Sequence, residues 1–124
     1  MPRFLTFINA YFATMPILVG LLLLLAPDFI IPLMFKNPPV STANAELVDI
    51  LRKGFAIRDI YMGITTWAAI YHRSRRVIGW VLLAGACVVV VDGYALHEAL
   101  GRGLWDHYVF LPVLLGCGLR QAVF

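Results

Sequence analysis

Few residues in this chain can do chemistry, and they occur in stretches otherwise suited to hydrocarbon. Arg58 and Asp59 lie one turn inside an apolar run, Asp92 lies two-thirds along the next, and His97 and Glu98 follow one to two turns later. His107 opens the last apolar run. An ionisable side chain within a membrane span costs roughly 2.5–3.5 kcal/mol on insertion scales and usually marks function. Two carboxyls sharing a low-dielectric pocket do not readily both ionise, so one keeps a proton while the other acts as base. Asp92 and Asp59 are therefore the candidate acid–base pair. Arg58 orients them or stabilises an oxyanion, and His107 relays a proton.

Further residues are candidates for holding a substrate. Tyr61 and Tyr94 can wall a cavity, and His97 and Trp105 belong to the same end of the protein. Gly63 stands four residues after Asp59, on its helix face, and lets a neighbouring helix or a ligand approach. Arg58 and Asp59 are adjacent and diverge by about 100° around a helix. With Asp59 facing inward, Arg58 is expected to flank the cavity or to snorkel toward the headgroups. A structural reading stands beside this one, in which Arg58 with Asp59 or Asp92 clasps two helices. Trp67, Tyr71, Trp80, Tyr94, Trp105 and Tyr108 likewise fit interfacial aromatic belts.

The elements that must position these residues follow from composition. The 124 residues are 61% hydrophobic and 14% charged, with a mean hydropathy of +0.84. Soluble domains carry about 45–50% apolar and roughly 25% charged residues. The excess predicts an integral membrane protein, and the length predicts one domain over 1–124. A span needs about 20 apolar residues, which predicts helices over about 4–26, 45–71, 77–100 and 104–121. The fold class is all-α, a four-helix transmembrane bundle. The first span contains Pro16 and Gly20, which membrane helices tolerate. It is longer than a signal peptide's apolar region and lacks a cleavage site, so it reads as a retained helix. Pro27, Pro32, Pro38 and Pro39 argue against continuous helix between the first two spans. Phe29, Ile30, Ile31, Leu33, Met34 and Phe35 make that Pro-rich segment an interfacial strip or a lid. Pro112 predicts a kink in the fourth helix.

Four antiparallel spans put both termini at one end, side A. That end holds Arg3, Arg73, Arg75, Arg76 and Arg120 and no acid, whereas all seven carboxylates fall toward side B. The tight basic turn from His72 to Arg76 tips the positive-inside rule toward a cytoplasmic side A. Because the helices alternate in direction, Asp59, Asp92 and His107 converge at side B. Cys87 and Cys117 lie in apolar runs, so neither a disulfide framework nor a thiolate metal site is expected. A cluster of His97, Glu98, His107 and Asp92 matches no standard zinc spacing, and no metal is expected. No phosphate loop, nucleophile elbow or Cys-x-x-Cys motif occurs. No cofactor is expected, and the basic residues form no groove for nucleic acid.

Over about residues 50–120 the chain resembles the small four-helix membrane proteins catalogued as a domain of unknown function, common in bacteria and fungi. The resemblance is carried by Gly54, Arg58-Asp59 and Gly63, a basic turn, Gly79, the apolar helix reaching Asp92, and His107. Fungal members tend to be encoded among natural-product pathway genes. The resemblance therefore implies a tailoring enzyme such as a cyclase, isomerase or epoxide hydrolase, in the endoplasmic reticulum membrane of a eukaryotic cell. Its partners would be the bilayer and a lipophilic small molecule, and a homo-oligomer stays open. Two other classes compete: a proton-coupled small-molecule transporter, and a structural or assembly subunit without catalysis.

Overall fold

A computed structural model describes residues 3–35, 45–101 and 104–124, and these are almost entirely helical, with no strand among them. The helices are α1 (Arg3–Leu25), α2 (Pro27–Phe35), α3 (Ala45–Tyr71), α4 (Arg75–Leu100), α5 (Leu104–Tyr108) and α6 (Leu111–Val123).

Helices α1 and α3 run antiparallel in close contact, and glycines permit the approach. A Cβ on Gly20 would stand 2.5 Å from the Ala56 carbonyl oxygen, and one on Gly63 2.5 Å from that of Ala13. Position 20 thus meets 56 while position 13 meets 63, which fixes the antiparallel register. Helices α4 and α6 make the second close pair. A Cβ on Gly79 would stand 2.2 Å from the Ala122 nitrogen, backbone against backbone. Small residues at such positions are how apolar helices gain contact where lipid removes the hydrophobic drive between them.

Two apolar clusters fill the interior. At the end of the Tyr71–Arg75 turn, Ala69, Ile78, Leu82, Ala86 and Leu114 are buried together, with Phe12 and Leu111 against them. At the other end Leu23, Ile30 and Ala56 are buried with Val19, Leu22 and Ile31. Between α1 and α6, Asn9 and Gln121 are both buried. The Asn9 amide donates to Gln121 Oε1 at 2.9 Å, and the Gln121 amide donates to Asn9 Oδ1 at 3.0 Å. A buried amide without a partner costs about 1–3 kcal/mol, so each holds the other's helix in register.

The turn between α3 and α4 closes with Ser74 N–H donating to the Ala69 carbonyl at 3.0 Å, and Arg73 adopts φ 53°. This is the left-handed ending that more often carries glycine. The basic stretch is therefore divided: the turn spans His72 to Ser74, and Arg75 and Arg76 already belong to α4.

Two expectations about helix boundaries are corrected. The Pro-rich segment is not irregular throughout, because Pro27–Phe35 is helical with Pro32 inside it. Pro27 takes the first helical position, where no backbone N–H is required. Pro32 forfeits one intrahelical bond only three residues before the helix ends, while Ile30 and Ile31 dock on Leu23 and Ala56. Pro38 and Pro39 lie outside the described residues. The fourth span is not one kinked helix over 104–121 but α5 and α6, separated by a turn at Val109 and Phe110. Pro112 has no N–H for the Tyr108 carbonyl, so the chain closes a tighter turn, Phe110 N–H to the His107 carbonyl at 3.1 Å. Helix α6 restarts with Pro112 in its first turn.

Outside, the helices are apolar too. On α4 Val77, Trp80, Ala84, Cys87, Val91 and Tyr94 are all exposed, a stripe at alternating spacings of three and four. A similar stripe on α1 runs through Phe4, Phe7, Tyr11, Met15, Leu18 and Leu25. Soluble monomers rarely leave such continuous apolar faces bare. Two helices, over Arg3–Leu25 and Arg75–Ala99, are long and apolar enough to cross a membrane, with only 22% and 33% of their spans buried in the protein. Helix α3 is 27 residues long but carries charged residues in its first half.

Candidate functional site

The ionisable residues meet where α3 and α4 face each other. Helix α3 presents Arg58 and Asp59 from its middle, and α4 presents Asp92 two-thirds along its length. The Arg58 guanidinium binds Asp92 through both ends of the fork, Nη1 to Oδ1 at 2.9 Å and Nη2 to Oδ2 at 2.8 Å. The same group donates to Asp59 Oδ1 from Nε at 3.1 Å and from Nη2 at 3.0 Å. A guanidinium has five N–H donors, so four are committed to carboxylates. Bidentate, charge-assisted bonds of this kind fix orientation as well as energy.

Of the two placements expected for Arg58, it flanks the space beside α4 and does not snorkel toward the headgroups. Its long side chain bends sideways to α4, and one guanidinium serves carboxylates on two helices although Arg58 and Asp59 leave the helix about 100° apart. An acceptor pair within reach favours that bend over extension toward the bundle end. The Phe55 ring, one turn earlier, lies 4.7 Å from the guanidinium carbon, a cation–π distance. The three charged side chains are only partly covered: Arg58 is 33% exposed, and Asp59 and Asp92 are 19% each.

Beside this cluster an open groove of about 250 Å³ runs along α4, lined by Arg58, Cys87, Val88, Val91 and Asp92. Val88 and Asp92 are one turn apart on the α4 face, and Cys87 and Val91 repeat that spacing beside them. The walls are apolar, and the polar end is the bound arginine–carboxylate pair. Where the groove lies, α3 and α4 stand farther apart than the glycine-mediated pairs. Gly85 of α4 has only the Met62 Cε methyl within reach of its absent Cβ, at 3.6 Å.

The other expected site residues fall elsewhere. His107 is half-buried on α5, its Cβ against Gly93, one residue beyond Asp92. It is absent from the hydrogen bonds that join Arg58, Asp59 and Asp92. Tyr108 covers the same glycine and donates from its hydroxyl to the Val90 carbonyl at 3.3 Å. Gly63 is buried in the α1–α3 contact. Tyr61, Tyr94 and Trp105 are exposed, as are His97 and Glu98 near the end of α4. None of these lines the groove.

Sequence reasoning passed over three features. Cys87, Val88 and Val91 line the groove but read as ordinary apolar residues; only their spacing from Asp92 could have marked them. The Asn9–Gln121 pair had a signal, since Asn9 is a lone amide in a charge-free span. The third is at the other helix end, where Arg52 donates to the Leu23 carbonyl and to Asp49. Arg52 thereby ties the start of α3 to the carbonyl end of α1, where a cation is favoured.

Comparison with known proteins adds one finding. A family model described as Domain of unknown function (DUF4267) matches residues 13–120, a stretch that includes α3, α4, Arg58, Asp59, Asp92 and His107. No curated protein and no solved structure matches the chain.

Proposed function

Because the chain belongs to the family described as Domain of unknown function (DUF4267), its chemistry has to be read from its own geometry. We propose that it is a small multi-pass membrane enzyme performing acid–base catalysis on a lipophilic small molecule. The observation that carries this reading is the Asp59–Arg58–Asp92 cluster at the mouth of an apolar groove. Four membrane-crossing units would be α1, α3, α4 and α5 with α6, with α2 lying in the interface. The exposed Arg73, Arg75, Arg76 and Arg120 mark the cytoplasmic face by the positive-inside rule. Both termini then lie on that face. In a eukaryotic cell the endoplasmic reticulum is the membrane that suits this reading.

In this reading the groove admits substrate sideways from the bilayer, and Val88 and Val91 hold its carbon skeleton. Two carboxyls linked by one guanidinium do not both ionise readily in such surroundings. One is protonated and donates to an epoxide or carbonyl oxygen, while the other takes a proton from the attacking hydroxyl or water. Arg58, with four donors committed, acts as the orienter of the pair rather than as an oxyanion hole. Positioned acid–base groups contribute about 10²–10⁴-fold, and a groove that orients a flexible substrate adds proximity. His107 stands one residue's width from Asp92, behind Gly93, and is the candidate relay to the aqueous side. Cyclase, isomerase and epoxide-hydrolase chemistry all fit this machinery, in keeping with a place in natural-product biosynthesis.

A proton-coupled transporter is the second reading, favoured by the same half-covered carboxylates between two helices. Co-expression with the neighbouring biosynthetic genes, with and without this chain, separates the two. An enzyme changes the structure of the product recovered from whole culture, whereas a transporter changes only its distribution between cells and medium.

A further inference from the structure

We infer that the α3–α4 groove recognises positive charge on a lipophilic molecule. Its ligand is a hydrophobic monocation, or a neutral molecule that becomes cationic at its reacting centre. The inference rests on the acid–base reading of the same site and adds the sign of charge that site accepts.

With both carboxyls ionised, Asp59, Arg58 and Asp92 sum to one net negative charge, and with one of them protonated, as in the empty groove, they sum to zero. Among the described residues the only base lining the groove is Arg58, and its fork is occupied, bidentate to Asp92 and twice to Asp59 Oδ1. An incoming anion would face Asp92 in the groove, with Asp59 held on the same guanidinium outside the lining, and one N–H of Nη1 left to receive it. Like charges brought together without water repel strongly. A cation meets the opposite situation. It takes the place of the proton that one carboxyl holds in the empty groove: carboxylic acid plus ligand cation gives carboxylate–cation pair plus a released proton. No bond within the ligand changes. The apolar remainder of the ligand lies along Val88 and Val91, and the Phe55 ring beside the guanidinium offers a further cation-tolerant face. In the catalysed reaction the same field favours a developing oxocarbenium or carbocation centre, because a preorganised charge aimed at developing charge lowers the barrier.

Several titratable groups surround the exchanging proton. From α3 comes Arg58, from α4 Asp92 and Cys87, and from α5 His107 beside Gly93. From α1, Arg3 and Tyr11 are the titratable residues, and both lie toward the opposite end of the bundle, near Asn9.

The test is equilibrium binding of tetraphenylphosphonium and of tetraphenylborate, matched in size and opposite in charge, to the full chain in lipid nanodiscs, corrected for partition into empty discs. The phosphonium is expected to bind saturably, about tenfold tighter per pH unit across the range where the exchanged proton titrates. The borate is expected not to saturate. Asp92→Asn and Asp59→Asn are expected to flatten the pH slope, while His72→Asn, in the exposed turn between α3 and α4, retains it. Equal saturable binding of the borate, or phosphonium binding independent of pH in the unaltered protein, overturns the inference. Product formation by the same protein keeps the two readings apart. Dependence of product on Asp92 without phosphonium binding sinks the charge inference alone, whereas product that ignores Asp92 sinks the acid–base reading.

Discussion

Replacing Arg58 by methionine keeps the side-chain stem beside Phe55 and removes the guanidinium. Four hydrogen bonds between 2.8 and 3.1 Å are lost, and two carboxylates on facing helices lose the charge between them. Removing one partner of a fully buried ion pair costs about 3–5 kcal/mol. Here Arg58 is 33% exposed and the acids 19%, so solvent screening discounts that range to about 2–4 kcal/mol. Neutralising both acids in the same protein, Arg58→Met with Asp59→Asn and Asp92→Asn, removes the unpaired charge. More than half of the loss should then return. Reversible unfolding in mixed micelles with increasing denaturing detergent measures all three proteins on one scale. A cost below about 1 kcal/mol for Arg58→Met, or a triple variant no more stable than the single one, would refute the reasoning that charge compensation holds this site together.

Other outcomes follow from particular contacts. Gly79→Ala places a methyl 2.2 Å from the Ala122 nitrogen, so α4 and α6 must part by roughly 1 Å. Its cost should be about 2–3 kcal/mol, whereas Gly116→Ala, with open space around it, should be neutral or slightly stabilising in the same unfolding assay. Asn9→Leu leaves Gln121 Oε1 without its buried donor, the amide nitrogen keeping the Cys117 carbonyl, and should cost about 1–3 kcal/mol. Asn9→Leu with Gln121→Leu should cost less than the sum of the singles, which a double-mutant cycle measures.

Much of the positioning was legible because apolar runs and their interruptions are strong signals. The predicted helix 45–71 coincides with α3, and α4 begins two residues before the expected Val77 because the turn needs only His72, Arg73 and Ser74. The convergence of Asp59 and Asp92 followed from alternating helix direction, which needs only the order of the spans. Side-chain reach was less legible. A helical wheel separates Arg58 from Asp59, yet an arginine has enough rotatable bonds to bring its fork back over its neighbour. Proline rules misjudged Pro32 and Pro112, since each rule prices one lost backbone bond and neither prices the packing of Ile30 or the tighter turn at Phe110. Gly63 was read as room for a helix or a ligand, and the space belongs to α1. The groove itself is a property of the gap between α3 and α4, and no single residue type encodes it.

The most direct test of the central claim is product formation by the Asp92→Asn protein, co-expressed with the genes that neighbour its own, at membrane abundance matched to the unaltered chain. Asparagine keeps the shape of the side chain and one acceptor for Arg58 while removing the titratable oxygen. The account predicts that product falls by about 10²–10⁴-fold and that its precursor accumulates. Undiminished product from Asp92→Asn would contradict it.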